Sequence, residues 1–237
     1  MNGLILFIGE SFRLGNQGTR NRGSDESYNE QIKACNSHIH FIQSINKKFK
    51  LNSMSVFIST YNTKFNNDLL SIYNEYLTCY NIYENVIGLN NLFHNSINYL
   101  HDNLKNYDFI FYIRIDLYLK QQFIDIFDPT INKILFPTIC FKPYHFVGSH
   151  PRVNDMCVFI PKKYYKYINN LYIYHNMWYD LISNTDLTYD DLDTIINTYH
   201  DSDSAKDYNP LYYIVNRDEC NIFHSEGDIF NKFIFIP

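Results

Sequence analysis

Asp108-Phe109-Ile110-Phe111-Tyr112-Ile113-Arg114-Ile115-Asp116 decides the fold. The apolar run has no alternation. It therefore suits a central parallel strand covered on both faces rather than a half-solvated one. It closes on an Arg and an Asp two residues apart. In open α/β sheets, ligands sit outside the carboxyl ends of such strands. Arg114 offers a forked cation for phosphate oxygens. Asp116 offers hard oxygens for a Mg²⁺ or Mn²⁺ ion that bridges phosphates. The pair points to a site for a charged small molecule that carries a nucleotide. The same residues also suit a plainer role, with Asp116 capping the next turn and Arg114 paired to a surface carboxylate.

Upstream of this stretch, strands and helices alternate. Residues 4–8 read as a short buried strand and 9–23 as a polar loop with several glycines. A helix follows, with apolar positions Ile32, Cys35, Ile39, Ile42 and Ile45 at three- and four-residue steps. Ser24-Asp25-Glu26 marks its start, and Ser27-x-x-Glu30 has the spacing of a capping box. Residues 56–58 form the second strand, leading into Ser59-Thr60-Tyr61. Leu69, Ile72, Tyr73, Tyr76 and Leu77 give a second helix, residues 85–89 a third strand, and Leu92, Phe93, Ile97, Leu100 and Leu104 a third helical face. This β-α-β-α-β-α-β order implies an α/β fold with a mostly parallel sheet and helices on both faces.

Downstream the pattern loosens. Residues 134–137 and 156–160 read as short strands around a loop at 142–155. Pro161 is placed to open a long aromatic-rich helix through about residue 181. Residues 186–207 are acidic, with a helix expected at 190–199. Ile222-Phe223 and residues 233–236 can add strands, the latter at an edge. No repeat and no linker divides the chain. The expectation is one domain, 1–237, with a nucleotide-binding half at 1–118 and an acceptor-side half at 119–237.

Composition narrows the partners. The 237 residues are 46% hydrophobic and 18% aromatic, values of a globular protein. A net charge of −5 argues against a general nucleic-acid binder, which carries a basic field. Five cysteines, an odd number with no Cys-x-x-Cys, match neither a disulfide framework nor a zinc site, and imply a reducing compartment. No signal peptide or membrane span is expected, so the protein reads as soluble. Asn, Ile, Tyr and Lys are abundant, the bias of an AT-rich genome, which makes arginine the more informative cation. Only six occur, and Arg13, Arg20 and Arg22 share one loop.

Four further segments can carry chemistry. Gly9-Glu10-Ser11-Phe12-Arg13 follows the first strand, so it lies at the same sheet edge as Asp116. Its glycine permits close backbone approach, and its loop arginines suit phosphate. It matches neither a Walker A loop nor G-x-G-x-x-G, and a flexible loop with solvated arginines remains the alternative. Ser59, Thr60 and Tyr61 can hold a base and ribose, or form a plain turn. Asp155, after Asn154, can take a proton from an acceptor hydroxyl, or serve as a turn former. His224 can complete a metal site begun at Asp116, or be a structural histidine. Residues 201–210 resemble an EF-hand loop only superficially. No metalloprotease, zinc-finger or nucleophile-elbow spacing is present.

Taken together, these segments resemble a GT-A-type glycosyltransferase, of the small kind found in bacterial surface-polysaccharide clusters and in large DNA viruses. The resemblance spans most of the chain through short motifs: Gly9, Glu10 and Arg13 after the first strand, Arg114-x-Asp116 where other GT-A enzymes carry Asp-x-Asp, and Asn154-Asp155 before a later strand. It implies transfer of a sugar, hexosyl or similar, from a UDP- or GDP-linked donor to a glycan or other hydroxyl acceptor. It implies donor contacts at Gly9, Glu10, Arg13, Ser59, Thr60, Tyr61, Arg114 and Asp116. Catalytic roles fall to Asp155 as base and to Asp116. Mn²⁺ or Mg²⁺ would sit on Asp116 and His224. Position 114 is Arg, so one carboxylate of the usual metal motif is missing, and Arg114 can itself neutralise diphosphate. The implied location is cytoplasmic, meaning host cytoplasm or virion for a viral protein. Two other readings stay open. One is a non-catalytic carbohydrate-binding or structural protein on the same fold. The other is another nucleotide-dependent transferase on a doubly wound sheet, such as a methyltransferase, which the lack of a glycine-rich first turn weakens.

Overall fold

The computed structural model opens on β1 (Asn2–Ile8) and a small hairpin, β2 (Arg13–Leu14) against β3 (Asn21–Arg22). Next come α1 (Asp25–Phe49), β4 (Ser53–Tyr61), α2 (Asn66–Tyr73), β5 (Leu77–Tyr83) and α3 (Leu89–Leu100). A 3₁₀ turn at Leu104–Asn106 leads to β6 (Phe109–Arg114), β7 (Leu117–Leu119) and α4 (Gln121–Ile126). The rest comprises β8 (Ile134–Phe136), β9 (Ile139–Cys140), β10 (Arg152–Val153), β11 (Cys157–Pro161), a 3₁₀ stretch at Lys162–Asn170, β12 (Ile196–Thr198) and β13 (Tyr212–Ile214). The structure describes residues 1–14, 21–136, 139–140, 152–153, 157–170, 196–198 and 212–214.

Seven strands form one sheet in the order β12-β8-β11-β6-β1-β4-β5. β6, β1, β4 and β5 pair in parallel, and β11 runs antiparallel between β6 and β8. The chain is thus a mixed α/β protein with a central, mostly parallel sheet. Ile8 stands opposite both Ser59 and Arg114, so β1, β4 and β6 end at one rim.

The uninterrupted apolar strand follows from burial on two sides. Phe109, Phe111 and Ile113 point with Ile5 and Phe7 into a core capped by Cys35, Phe41, Ile42 and Ile45 of α1, Leu69 of α2 and Phe123 of α4. Ile110 and Tyr112 point with Leu4, Leu6 and Ile8 into a second core, capped by Leu92, Phe93, Ile97 and Leu100 of α3 and by Tyr164 and Ile168. Each such side chain contributes about 1.5–3 kcal/mol relative to exposure. Phe111 lies 5.1 Å from Phe127 and Phe41 5.0 Å from the same ring, an aromatic cluster under β6. Gly3 has no side chain because the ring of Phe109 and the sulfur of Met54 fill the space a Cβ would take.

Local signals placed α1 with one adjustment. Ser24 is the N-cap, its side chain accepting from Ser27 N at 3.2 Å. The expected capping box does not form, since Ser27 lies inside the first turn and Glu30 pairs with Lys33 instead. The expected third strand at 85–89 is a correction: β5 is Leu77–Tyr83, and Leu89 already opens α3. Tyr76 and Leu77 extended the apolar period of α2 and concealed the change, because β5 is an edge strand only partly buried. Pro161 ends β11 rather than starting an α-helix, and a 3₁₀ stretch follows. The helix expected at 190–199 is contradicted by β12 at Ile196–Thr198, paired in parallel with β8. The segments at 222–223 and 233–236 lie outside the described residues. No helix among the described residues is long and apolar enough to cross a membrane.

Candidate functional site

The rim is stitched together beyond the ends of its strands. Gly9 N donates to Ser59 O at 3.1 Å, and Ile115 N donates to Ile8 O at 3.0 Å. Gly9 adopts φ +132°, a region that residues with a Cβ avoid. The chain then folds back. Ser11 N donates to Thr60 Oγ1 at 3.1 Å, and the two hydroxyls lie 2.9 Å apart.

Phe12 is the strained point, with φ 49° in the left-handed region. For an ordinary side chain this conformation costs about 1–2 kcal/mol. Three hydrogen bonds and two rings hold it there. Its N–H donates to Gln31 Oε1 at 3.1 Å, and its carbonyl accepts from Gly23 N at 2.7 Å and Ser27 Oγ at 2.9 Å. The ring packs on Tyr28 and Phe65. Strain maintained by its surroundings is characteristic of functional loops. Here it turns Arg13 inward, and that residue is 4% exposed.

Asp116 is the hub, 1% exposed. Arg114 donates Nε to Oδ1 at 3.0 Å and Nη2 to Oδ2 at 2.5 Å. Arg13 donates Nη2 to Oδ2 at 3.0 Å. These are charge-assisted bonds, the stronger kind. Arg13 Nε also lies 3.5 Å from Glu10 Oε2. Arg22 stands directly opposite Arg13 across the β2–β3 hairpin, with its guanidinium 5.2 Å from the Tyr61 ring centroid.

Beneath the cluster, α1 supplies a buried polar splint. Gln31 Nε2 donates to Ile115 O at 2.7 Å while its Oε1 holds Phe12. One amide thus fixes the residues adjoining Arg13 and Asp116. Ser37 Oγ accepts from Leu119 N at 3.0 Å. His38 Nε2 donates to Leu117 O at 2.6 Å, because a carbonyl only accepts, so Nδ1 accepts the Tyr73 hydroxyl at 2.6 Å. Burial holds the His38 imidazole neutral, its pKa lowered from 6.5 to about 3 against the opposing pull of the Leu117 carbonyl and the Asp116 charge. Burial also raises the Cys35 thiol to about 11 and the Tyr73 phenol well above its usual range.

Most of the residues singled out from the sequence therefore meet. Gly9, Glu10, Arg13, Ser59, Thr60, Arg114 and Asp116 converge at the carboxyl end of β1, β4 and β6. Their present contacts differ from those expected of a ligand cradle. Thr60 holds Ser11, Tyr61 is buried with its hydroxyl accepting from Gly88 N at 3.0 Å, and Ser59 Oγ is buried with no partner among the described residues. Asn154, Asp155 and His224 lie outside the described residues. Gln31 and His38 were missed. Both fall on the helical face of Ala34, Cys35, Phe41 and Ile45, where a polar residue on an apolar stripe is the available signal.

Mg²⁺ or Mn²⁺ does not fit Asp116 as the described residues stand. Both carboxylate oxygens already accept from guanidinium groups, and a divalent cation there would face two arginines. Among the described residues no group of three or more His, Cys, Asp or Glu could hold a metal ion.

No family model matches the chain, and no curated protein matches it. Solved structures similar to it include a protein assigned as a nucleotide-diphospho-sugar transferase from Desulfovibrio desulfuricans G20, with 12% identity, TM-score 0.39, 83% of this chain and 78% of that one. The galactosyltransferase LgtC, solved with donor and acceptor sugar analogs, is 8% identical with TM-score 0.41, covering 100% and 84%. The glycosyltransferase GlyE of Streptococcus pneumoniae TIGR4 is 13% identical with TM-score 0.37, covering 87% and 47%. Overlaps this loose do not bear on function, which rests on the rim itself.

Proposed function

We propose that the chain is a glycosyltransferase that moves a sugar from a nucleoside-diphosphate donor to a hydroxyl on a glycan or other acceptor. One observation carries the reading. The hairpin after β1 and the last residue of β6 bring Arg13, Arg22 and Arg114 to one sheet rim, the place where open α/β sheets bind nucleotides. In such a transfer the bond between the anomeric carbon and the diphosphate oxygen breaks, and the acceptor oxygen bonds to that carbon. The leaving group gains negative charge, which preset cations stabilise in the transition state. The acceptor hydroxyl gives up its proton to a base, a role proposed for Asp155. No step is assigned to a metal ion.

A second reading is favoured by the saturation of Asp116. A carboxylate closed by two arginines also suits a non-catalytic sugar-binding protein that has kept the scaffold. Turnover separates the two. Incubation with UDP- and GDP-linked sugars and glycan acceptors is expected to release UDP or GDP and glycosylated product. Sugar binding with no release of UDP or GDP from any donor would favour the second reading. Thermal-shift measurements with UDP, GDP and S-adenosylmethionine should show stabilisation by a nucleoside diphosphate alone. Stabilisation by S-adenosylmethionine would point to methyl transfer instead.

A further inference from the structure

We propose that this rim grips the diphosphate with guanidinium groups alone. Arg22 is the principal phosphate ligand, Arg114 flanks it, and Asp116 is a positioning residue rather than a metal ligand. The inference deepens the donor-binding reading above and rests on it.

The charge balance is the first support. Among the described residues, three arginines gather here against two carboxylates, Glu10 and Asp116. Asp116 engages Arg13 and Arg114, and Glu10 engages Arg13. Arg22 makes neither contact. Its Nη1 is buried with no hydrogen-bond partner among the described residues. A buried guanidinium N–H without an acceptor is costly, and a phosphate oxygen is its natural acceptor.

The second support is how Arg22 is held. Its guanidinium lies over the ring of Tyr61, and that ring is fixed by the bond from Gly88 N to the phenol oxygen. The backbone of β3 sets Arg22 opposite Arg13. The cation is thus pre-oriented by a π face and a hairpin.

The third support concerns Asp116. Accepting from Arg13 and Arg114 together fixes both guanidinium planes at the end of β6. Arg114, at 12% side-chain exposure, is the more accessible of the two. A phosphate beside it meets an oriented cation without displacing the carboxylate. A divalent ion would have to break these bonds first.

Titration calorimetry with UDP, GDP and inorganic pyrophosphate, each in EDTA and in Mn²⁺, tests this. The expected result is binding of UDP or GDP in EDTA, unchanged by Mn²⁺ and weakened about tenfold or more by Arg22→Gln, the loss of a charged hydrogen bond. Asp116→Asn, which removes the charge that orients Arg13 and Arg114, should weaken nucleotide binding equally in EDTA and in Mn²⁺. Because that variant leaves two buried arginines without their counter-charge, the wild-type EDTA measurement decides. Binding that requires Mn²⁺ would overturn the inference and leave the donor reading intact. Binding in EDTA unaffected by Arg22→Gln would overturn the role of Arg22. Absence of binding by all three probes under both conditions would overturn the donor reading itself.

Discussion

The two helices on opposite faces of the sheet do different work. α3 presents Leu92, Phe93, Ile97 and Leu100 to its core, and among the described residues its buried Ser96 bonds to Leu92 O of the same helix. α1 buries Ser27, Gln31, Ser37 and His38 alongside its apolar residues, and these bond across to residues 12, 115, 117 and 119. One face packs. The other also dictates where the rim loops lie. If that contrast holds, damage to α3 costs stability alone, while damage to α1 costs the site as well.

The largest expected effect concerns His38. In the unfolded chain its imidazole titrates near 6.5, and in the fold near 3. Between those values the unfolded state binds the extra proton, so stability present above pH 6.5 is lost as pH falls toward 3. At about 1.4 kcal/mol per pH unit, the full window is worth about 4–5 kcal/mol. The NMR signal of the ring should stay neutral down to pH 4, and titration near 6.5 would show that α1 is not sealed as described.

Next in size is Leu92→Ala in α3, expected to cost about 2–5 kcal/mol in urea melts. UDP or GDP affinity per folded molecule should not change. Gln31→Leu should cost about 2–4 kcal/mol, since it orphans Phe12 N and Ile115 O. Unlike the α3 variant, it should also weaken nucleotide binding. Equal loss of affinity in both would erase the distinction. Ser96→Ala should move stability by about 0.5 kcal/mol or less, because a helix-internal bond is exchanged for better helix propensity.

This contrast also explains what the sequence could tell. β6 was readable because five consecutive apolar residues need cover on both sides, and the two cores provide it. The meeting of Gly9, Ser59 and Asp116 followed from parallel topology. The polar side of α1 left only a faint signal, because a polar residue on an apolar stripe does not say which loop it holds. β5 was misplaced because an edge strand with one exposed face carries a weak apolar period. The inward turn that brings Arg13 onto Asp116 was not readable. It depends on Phe12 adopting φ 49°, and nothing in the local sequence requires that.

The most direct test of the central claim is a crystal structure of the wild-type chain soaked with UDP or GDP. The account predicts density for the diphosphate against Arg22 and Arg114, at the carboxyl ends of β1 and β6. A nucleotide bound elsewhere on the molecule would contradict it.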